Sequence, residues 1–87
     1  MEIKFSLEAW EQYVVWQGQD KRTLKRINEL LKDIVRGNPH EGIGKPEALK
    51  HNLSGFWSRR IDEQNRLVYR IDGDDCQIVQ CRGHYED

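Results

Sequence analysis

The sequence predicts an α+β fold, with two N-terminal helices packed on one face of a small, mainly antiparallel sheet of four to five strands. Three observations predict it. Apolar residues recur at helical spacing up to Arg36. Gly37 and Pro39 then break that rhythm. From Ala48 onward the chain becomes short alternating segments divided by the turn signals Ser54-Gly55 and Asp72-Gly73. Strands that follow helices in consecutive short hairpins mark an α+β meander. The length of 87 residues suits one domain, 1–87, with one modest core.

Taken in order, Glu2–Phe5 reads as a short strand and Ser6 as a helix N-cap, its hydroxyl placed to accept a free N–H of the first turn. Leu7 to about Gln19 reads as the first helix, with Trp10, Tyr13, Val14 and Trp16 on its apolar face. Asp20 caps a second helix, Lys21 to Arg36, whose stripe includes Leu24, Ile27, Leu30, Leu31 and Ile34. Gly37 is expected in the left-handed conformation past the helix end. After a Gly37–Pro46 loop, Ala48–Leu53, Phe56–Ile61, Arg66–Ile71 and Cys76–Arg82 read as strands. Trp10, Trp16 and Trp57 are assigned to the core.

Composition narrows the function. Charged residues make up 33% and apolar ones 37%, and eight aromatics are available to bury, which argues against disorder. No apolar run approaches the ~20 residues that a membrane helix needs, and Met1-Glu2-Ile3-Lys4 does not have the form of a secretory signal. Cys76 and Cys81 are too few for a disulfide framework and lack zinc-ligand spacing, so both read as reduced thiols of a cytoplasmic protein. Net charge is −1, which disfavours a general nucleic-acid binder. The charge is unevenly spread, however. Gly42–Arg70 carries six cations (Lys45, Lys50, Arg59, Arg60, Arg66 and Arg70) against three acids (Glu47, Asp62 and Glu63).

Strand parity makes that basic stretch specific. If Trp57, Ile61, Leu67, Tyr69 and Ile71 face the helices, then Phe56, Ser58, Arg60, Arg66, Val68 and Arg70 face away. In register, Arg60 then lies opposite Arg66, an arrangement that is normally destabilising. Either the two side chains splay on a solvated edge, or a phosphate belongs between them. Val79 and Cys81 are expected inward, with Gln80, Arg82 and His84 on the open face. Arg59 fits poorly, because parity sends it inward, so it is expected beyond the helix edge or in an irregular strand.

These residues suit metal-free cleavage of a phosphodiester. The ribose 2′-OH needs a base, the in-line transition state needs positive charge, and the leaving 5′-oxygen needs a proton. Glu47 follows Pro46, which is expected to hold Lys45 extended and fix a carboxylate at the sheet rim; taken alone it also reads as a surface glutamate. Arg60 and Arg66 offer guanidinium forks that match phosphate oxygens in pairs. His84 is either a tail histidine or, if the last strand continues to Tyr85, a proton donor beside Arg66. Lys50 adds charge for the flanking backbone, and Phe56 and Tyr85 offer surfaces for a base.

The run from Lys45 to Ile61 (Lys-Pro-Glu-Ala-Leu-Lys-His-Asn-Leu-Ser-Gly-Phe-Trp-Ser-Arg-Arg-Ile), with Arg66–Tyr69 and Cys81-Arg82-Gly83-His84-Tyr85, resembles the YoeB/Txe toxins of the RelE-like superfamily. The likeness extends to Trp10, Trp16, Asp20–Arg22 and Ile27–Leu30. It implies a ribosome-dependent mRNA endoribonuclease that uses 2′-OH attack and needs neither metal nor cofactor. Glu47 would be general base, Arg66 the transition-state arginine and His84 general acid, with Lys50, Arg60 and Tyr85 assisting. It also implies a cognate YefM/Axe-like antitoxin, the 70S ribosome and mRNA as partners, a homodimer in some members, and contact with DNA only through the antitoxin. The sequence departs from the pattern at Gly83, where many members have an aromatic, and in continuing through Glu86 and Asp87. The competing reading is a non-catalytic inhibitor that binds ribosome or RNA through Arg60, Arg66 and Lys50.

Overall fold

The structure, a computed structural model, describes residues 1–85. Glu86 and Asp87, where the sequence departs from the family pattern, lie outside the described residues. The order is β1 (Glu2–Phe5), α1 (Leu7–Gln19), α2 (Lys21–Arg36), β2 (Glu47–Ala48), β3 (Trp57–Arg60), β4 (Arg66–Asp72) and β5 (Asp75–Gln80). The five strands form one sheet in the order β1-β5-β4-β3-β2. Only β1 runs parallel to its neighbour, β5, so the mainly antiparallel expectation holds.

Both helix starts follow from their caps. Ser6 Oγ accepts from Ala9 N at 3.1 Å. Asp20 serves both helices, since its N–H closes α1 on Trp16 O while its carboxylate accepts from Arg22 N and Thr23 N. One shared residue leaves no slack, so the two helices lie together over the sheet. The core sits between them and the sheet, with Ile27, Leu30 and Ile34 of α2 meeting Leu67, Tyr69 and Ile78, all fully buried. Trp16 is also buried, and its Nε1–H donates to Cys81 O at 2.9 Å.

Several expectations need correction. Trp10 is 48% exposed, because α1 turns only Ala9 and Trp16 fully into the core. Gly37 has φ −109°, ψ −137° rather than a left-handed conformation, yet its N–H still bonds Asp33 O. Lys45 has φ +51° and is not extended, because the loop must turn sharply before Pro46. The strand expected over Ala48–Leu53 shrinks to Glu47–Ala48. His51 has φ +54°, and the bonds Leu53 N to Lys50 O and Ser54 N to His51 O make 51–53 a 3-10 turn. In β5, Tyr69 pairs with Ile78 and Val68 with Gln80, so Val79 is a bulge residue. That extra residue re-phases the strand: Cys76, Ile78 and Cys81 face the core, while Val79 does not take the inward position assigned to it.

Candidate functional site

The face of the sheet turned away from the helices is organised by cross-strand pairs. Glu47 pairs with Ser58, Ser58 with Val68, and Val68 with Gln80, forming one row across β2, β3, β4 and β5. Partners in register share a face. One step along the hairpin, Arg60 pairs with Arg66, the register that parity had predicted. By strand spacing, the backbones of Glu47 and Arg66 stand about 12 Å apart on this face, a gap that two extended side chains can close around one phosphate.

The arginines are fixed from behind. Arg66 Nη1 donates to Asp62 O at 2.6 Å and Asn65 O at 3.1 Å, anchoring its guanidinium over the β3–β4 loop. That loop is set by the Asp62 carboxylate, which accepts from Gln64 N, Asn65 N and Asn65 Nδ2. Burial pushes the Asp62 carboxyl up, but the hydrogen bonds from Asn65 and Gln64 outweigh it and hold the group below its usual range. Arg60 is exposed; its N–H donates to Gly44 O at 2.7 Å and its carbonyl accepts from Arg26 at 3.4 Å.

After β5 the chain hooks back onto this face. Gln80 Nε2 donates to the carbonyls of Arg82, Gly83 and His84 at 3.0, 3.1 and 2.7 Å. Gly83 takes φ +78°, a conformation that costs glycine little. It is clamped by its own N–H to Asn65 Oδ1 and by Arg66 N to its carbonyl. His84 thus follows a residue bonded directly to Arg66, and the Tyr85 hydroxyl lies 3.4 Å from Ser58 Oγ, the register partner of Glu47.

Glu47, Arg60, Arg66 and Tyr85 are therefore brought to one end of one face, with the His84 backbone held beside them by Gln80. Phe56 and Lys50 are not. Phe56 lies under the Arg70 guanidinium, 5.3 Å from its ring centre, toward the other end of β3. Lys50 is exposed at the start of the 3-10 turn. Arg82 leaves the open face to cover the Trp16 ring at 5.0 Å, so its expected place there is wrong. Among the described residues, no group of three His, Cys, Asp or Glu side chains could hold a metal. An apolar groove of about 450 Å³, lined in part by Ile3, Phe5, Trp10, Tyr13 and Val35, lies beyond the β1 edge and shares no residue with this site. No helix among the described residues is long and apolar enough to cross a membrane.

The sequence reading missed the role of Arg59. It obeys parity and is fully buried in a regular strand, contrary to the expected edge position. Its Nη1 donates to Asp33 Oδ2 at 2.5 Å and Ile43 O at 3.1 Å, and Nη2 donates to Asn38 O, Pro39 O and Glu41 O. Nε donates to the Tyr69 hydroxyl at 3.1 Å. The signal was available: an inward guanidinium requires partners, and a glycine-rich loop ahead of it offers carbonyls.

The fold is that of small bacterial toxins. A YoeB/ParE toxin from Agrobacterium tumefaciens superposes with TM-score 0.94 at 41% identity, covering 98% of this chain and all of that one. The chain belongs to the YoeB-like toxins of bacterial type II toxin–antitoxin systems, whose family model matches residues 5–85. Toxin YoeB of Escherichia coli K12 is 58% identical over 85 residues, covering 98% of this chain and 100% of that protein. Staphylococcus aureus YoeB, solved as a heterotetramer with YefM and as a dimer, is 50% identical with TM-scores of 0.90 and 0.91, covering 98% of each chain.

Proposed function

We propose that this toxin is a ribosome-dependent endoribonuclease that cuts mRNA in the A site and so stops translation, using its own side chains and no metal. The reading rests on one observation: the β3–β4 register sets Arg60 opposite Arg66 on the face that also carries Glu47 and the His84–Tyr85 hook. Two guanidinium groups across a hairpin leave a position for a doubly charged phosphorane between them. Glu47 takes the 2′-OH proton as that oxygen attacks phosphorus. The bond from phosphorus to the 5′-oxygen breaks, and His84 gives that oxygen a proton. The products are a 2′,3′-cyclic phosphate and a 5′-OH end. Tyr85 steadies the scissile phosphate, while Lys50 and Phe56, outside that cluster, serve the flanking RNA.

Relatives solved with YefM or as dimers support a YefM-like antitoxin and self-association for this chain as well. Acting on ribosomes places the toxin in the cytoplasm. The test uses purified protein with 70S ribosomes carrying a defined mRNA and an empty A site. Wild type should yield a fragment whose 5′ end accepts phosphate from a polynucleotide kinase without prior phosphatase. Glu47→Ala and His84→Ala should each cut about 10²- to 10⁴-fold more slowly while staying folded. Wild-type cutting by both variants overturns the proposal.

A further inference from the structure

We infer that Arg59 is a positioning residue for the cleavage reaction: its buried guanidinium is the mould on which the 38–46 loop folds, and that loop sets Glu47 against the phosphate site. The inference rests on Glu47 being the base.

Glu47 has little else to hold it. Its strand, β2, is two residues long and pairs only with Trp57 and Ser58. On its far side β2 is held by the buried Leu49, whose N–H donates to Phe56 O at 2.9 Å; on its near side it depends on the preceding loop, which has no strand or helix of its own. Four of its carbonyls, those of Asn38, Pro39, Glu41 and Ile43, converge on Arg59. The Tyr69 hydroxyl accepts from Arg59 Nε and donates to Pro39 O, and Asp33 Oδ2 accepts from both Arg59 and Ile43 N. Two helix and strand side chains therefore brace the same loop through one guanidinium. The loop ends in Lys45 at φ +51°, a conformation that a non-glycine residue holds only when its surroundings impose it. The adjacent Arg60 N to Gly44 O bond ties the end of the loop to β3 beside the strand that pairs with Glu47.

Charge alone cannot do this. A lysine at 59 supplies one ammonium with three donors, whereas five guanidinium N–H groups in a fixed fork serve the carboxylate, the hydroxyl and the carbonyls together. A base displaced by about 1 Å costs on the order of 10²-fold in rate.

The experiment is a double-mutant cycle between Arg59→Lys and Glu47→Ala, read by single-turnover mRNA cleavage on programmed ribosomes. Amide exchange of residues 40–49 is followed alongside. Arg59→Lys should lower the rate at saturating ribosomes by about 10- to 100-fold and speed exchange in that segment, while the ribosome concentration for half-maximal rate stays within about threefold. In the Glu47→Ala background the same change should alter the residual rate by less than about threefold, because the group it positions is gone. Tyr69→Phe, which keeps the guanidinium and removes the shared hydroxyl, should give a smaller loss with the same dependence on Glu47, and it stands in if Arg59→Lys does not fold. A loss of equal size with and without Glu47, or unchanged exchange over 40–49, overturns the positioning role. Wild-type cleavage by Glu47→Ala alone refutes the base assignment, and this inference with it.

Discussion

Arg60→Gln should make the protein more stable and a poorer enzyme. Arg60 and Arg66 are direct partners across β3–β4, and Arg66 cannot swing away freely because Asp62 O and Asn65 O hold its guanidinium. Two unit charges about 7 Å apart in a water-like dielectric repel by about 0.6 kcal/mol, and physiological salt removes roughly half of that. Loss of one charge should therefore raise stability by about 0.3–0.6 kcal/mol, or roughly 2–4 °C in Tm for a domain of this size. Thermal melts at 20 mM and 1 M NaCl provide the assay. The variant should melt higher at low salt, and the gap should close at 1 M, where the screening length falls to about 3 Å. Its cleavage rate should fall because a phosphate loses one of two guanidinium partners. A variant that melts lower at low salt, or keeps the same gap at 1 M, refutes the electrostatic reasoning. One that also cuts at the wild-type rate removes Arg60 from the site.

Three further outcomes follow from the packing and the titrating groups. Burial pushes the thiols of Cys76 and Cys81 up to about 11 and about 12, so neither should react with a disulfide reagent at pH 8 until the protein is unfolded; fast native labelling would contradict their burial. The hydrogen bond from Arg59 holds the Asp33 carboxyl below its usual range against the opposing effect of burial, and Asp62 is likewise depressed. Groups with depressed folded pKa contribute their full stability above about pH 5 and lose it as pH falls through the folded values, so urea midpoints should be flat from pH 7 to about 5 and drop below about 4. Asp33→Asn should cost more stability at pH 7 than at pH 3, and a constant cost across that range would contradict the assignment. Gly44→Ala should destabilise by about 2–5 kcal/mol, from the left-handed backbone and from overpacking. Gly44 has φ +80°, and an added Cβ would meet Leu30 Cδ2 at 2.7 Å and Arg60 O at 3.2 Å. A loss below about 1 kcal/mol in urea denaturation would show that the loop gives way there.

The parts of the fold visible in the sequence were those that local chemistry decides. Ser6 and Asp20 cap helices because their side chains bond the next turn, so the helix starts were legible. The Arg60–Arg66 register was legible because Leu67 and Tyr69 must face the helices and a short hairpin leaves no freedom to slip. What was not legible depends on contacts distant in sequence. The Val79 bulge breaks strict alternation, His51 ends a strand early by adopting a positive φ, and Arg82 leaves the open face for a tryptophan on α1. Arg59 illustrates both cases, since its inward direction was read from parity while its partners come from α2, β4 and a loop without periodic pattern. Within the site, the grouping of Glu47 with Arg66 follows from strand pairing, whereas the hook that brings His84 back depends on Gln80 and Asn65, which no motif singled out.

The most direct test of the central claim is primer extension on mRNA from cells expressing the toxin. Cleavage of the A-site codon predicts new 5′ ends inside translated reading frames within minutes of induction, absent when His84→Ala is expressed at the same level. Arrested translation without new 5′ ends would mean that the basic face only occupies the ribosome, and the catalytic account of Glu47, Arg66 and His84 would fall.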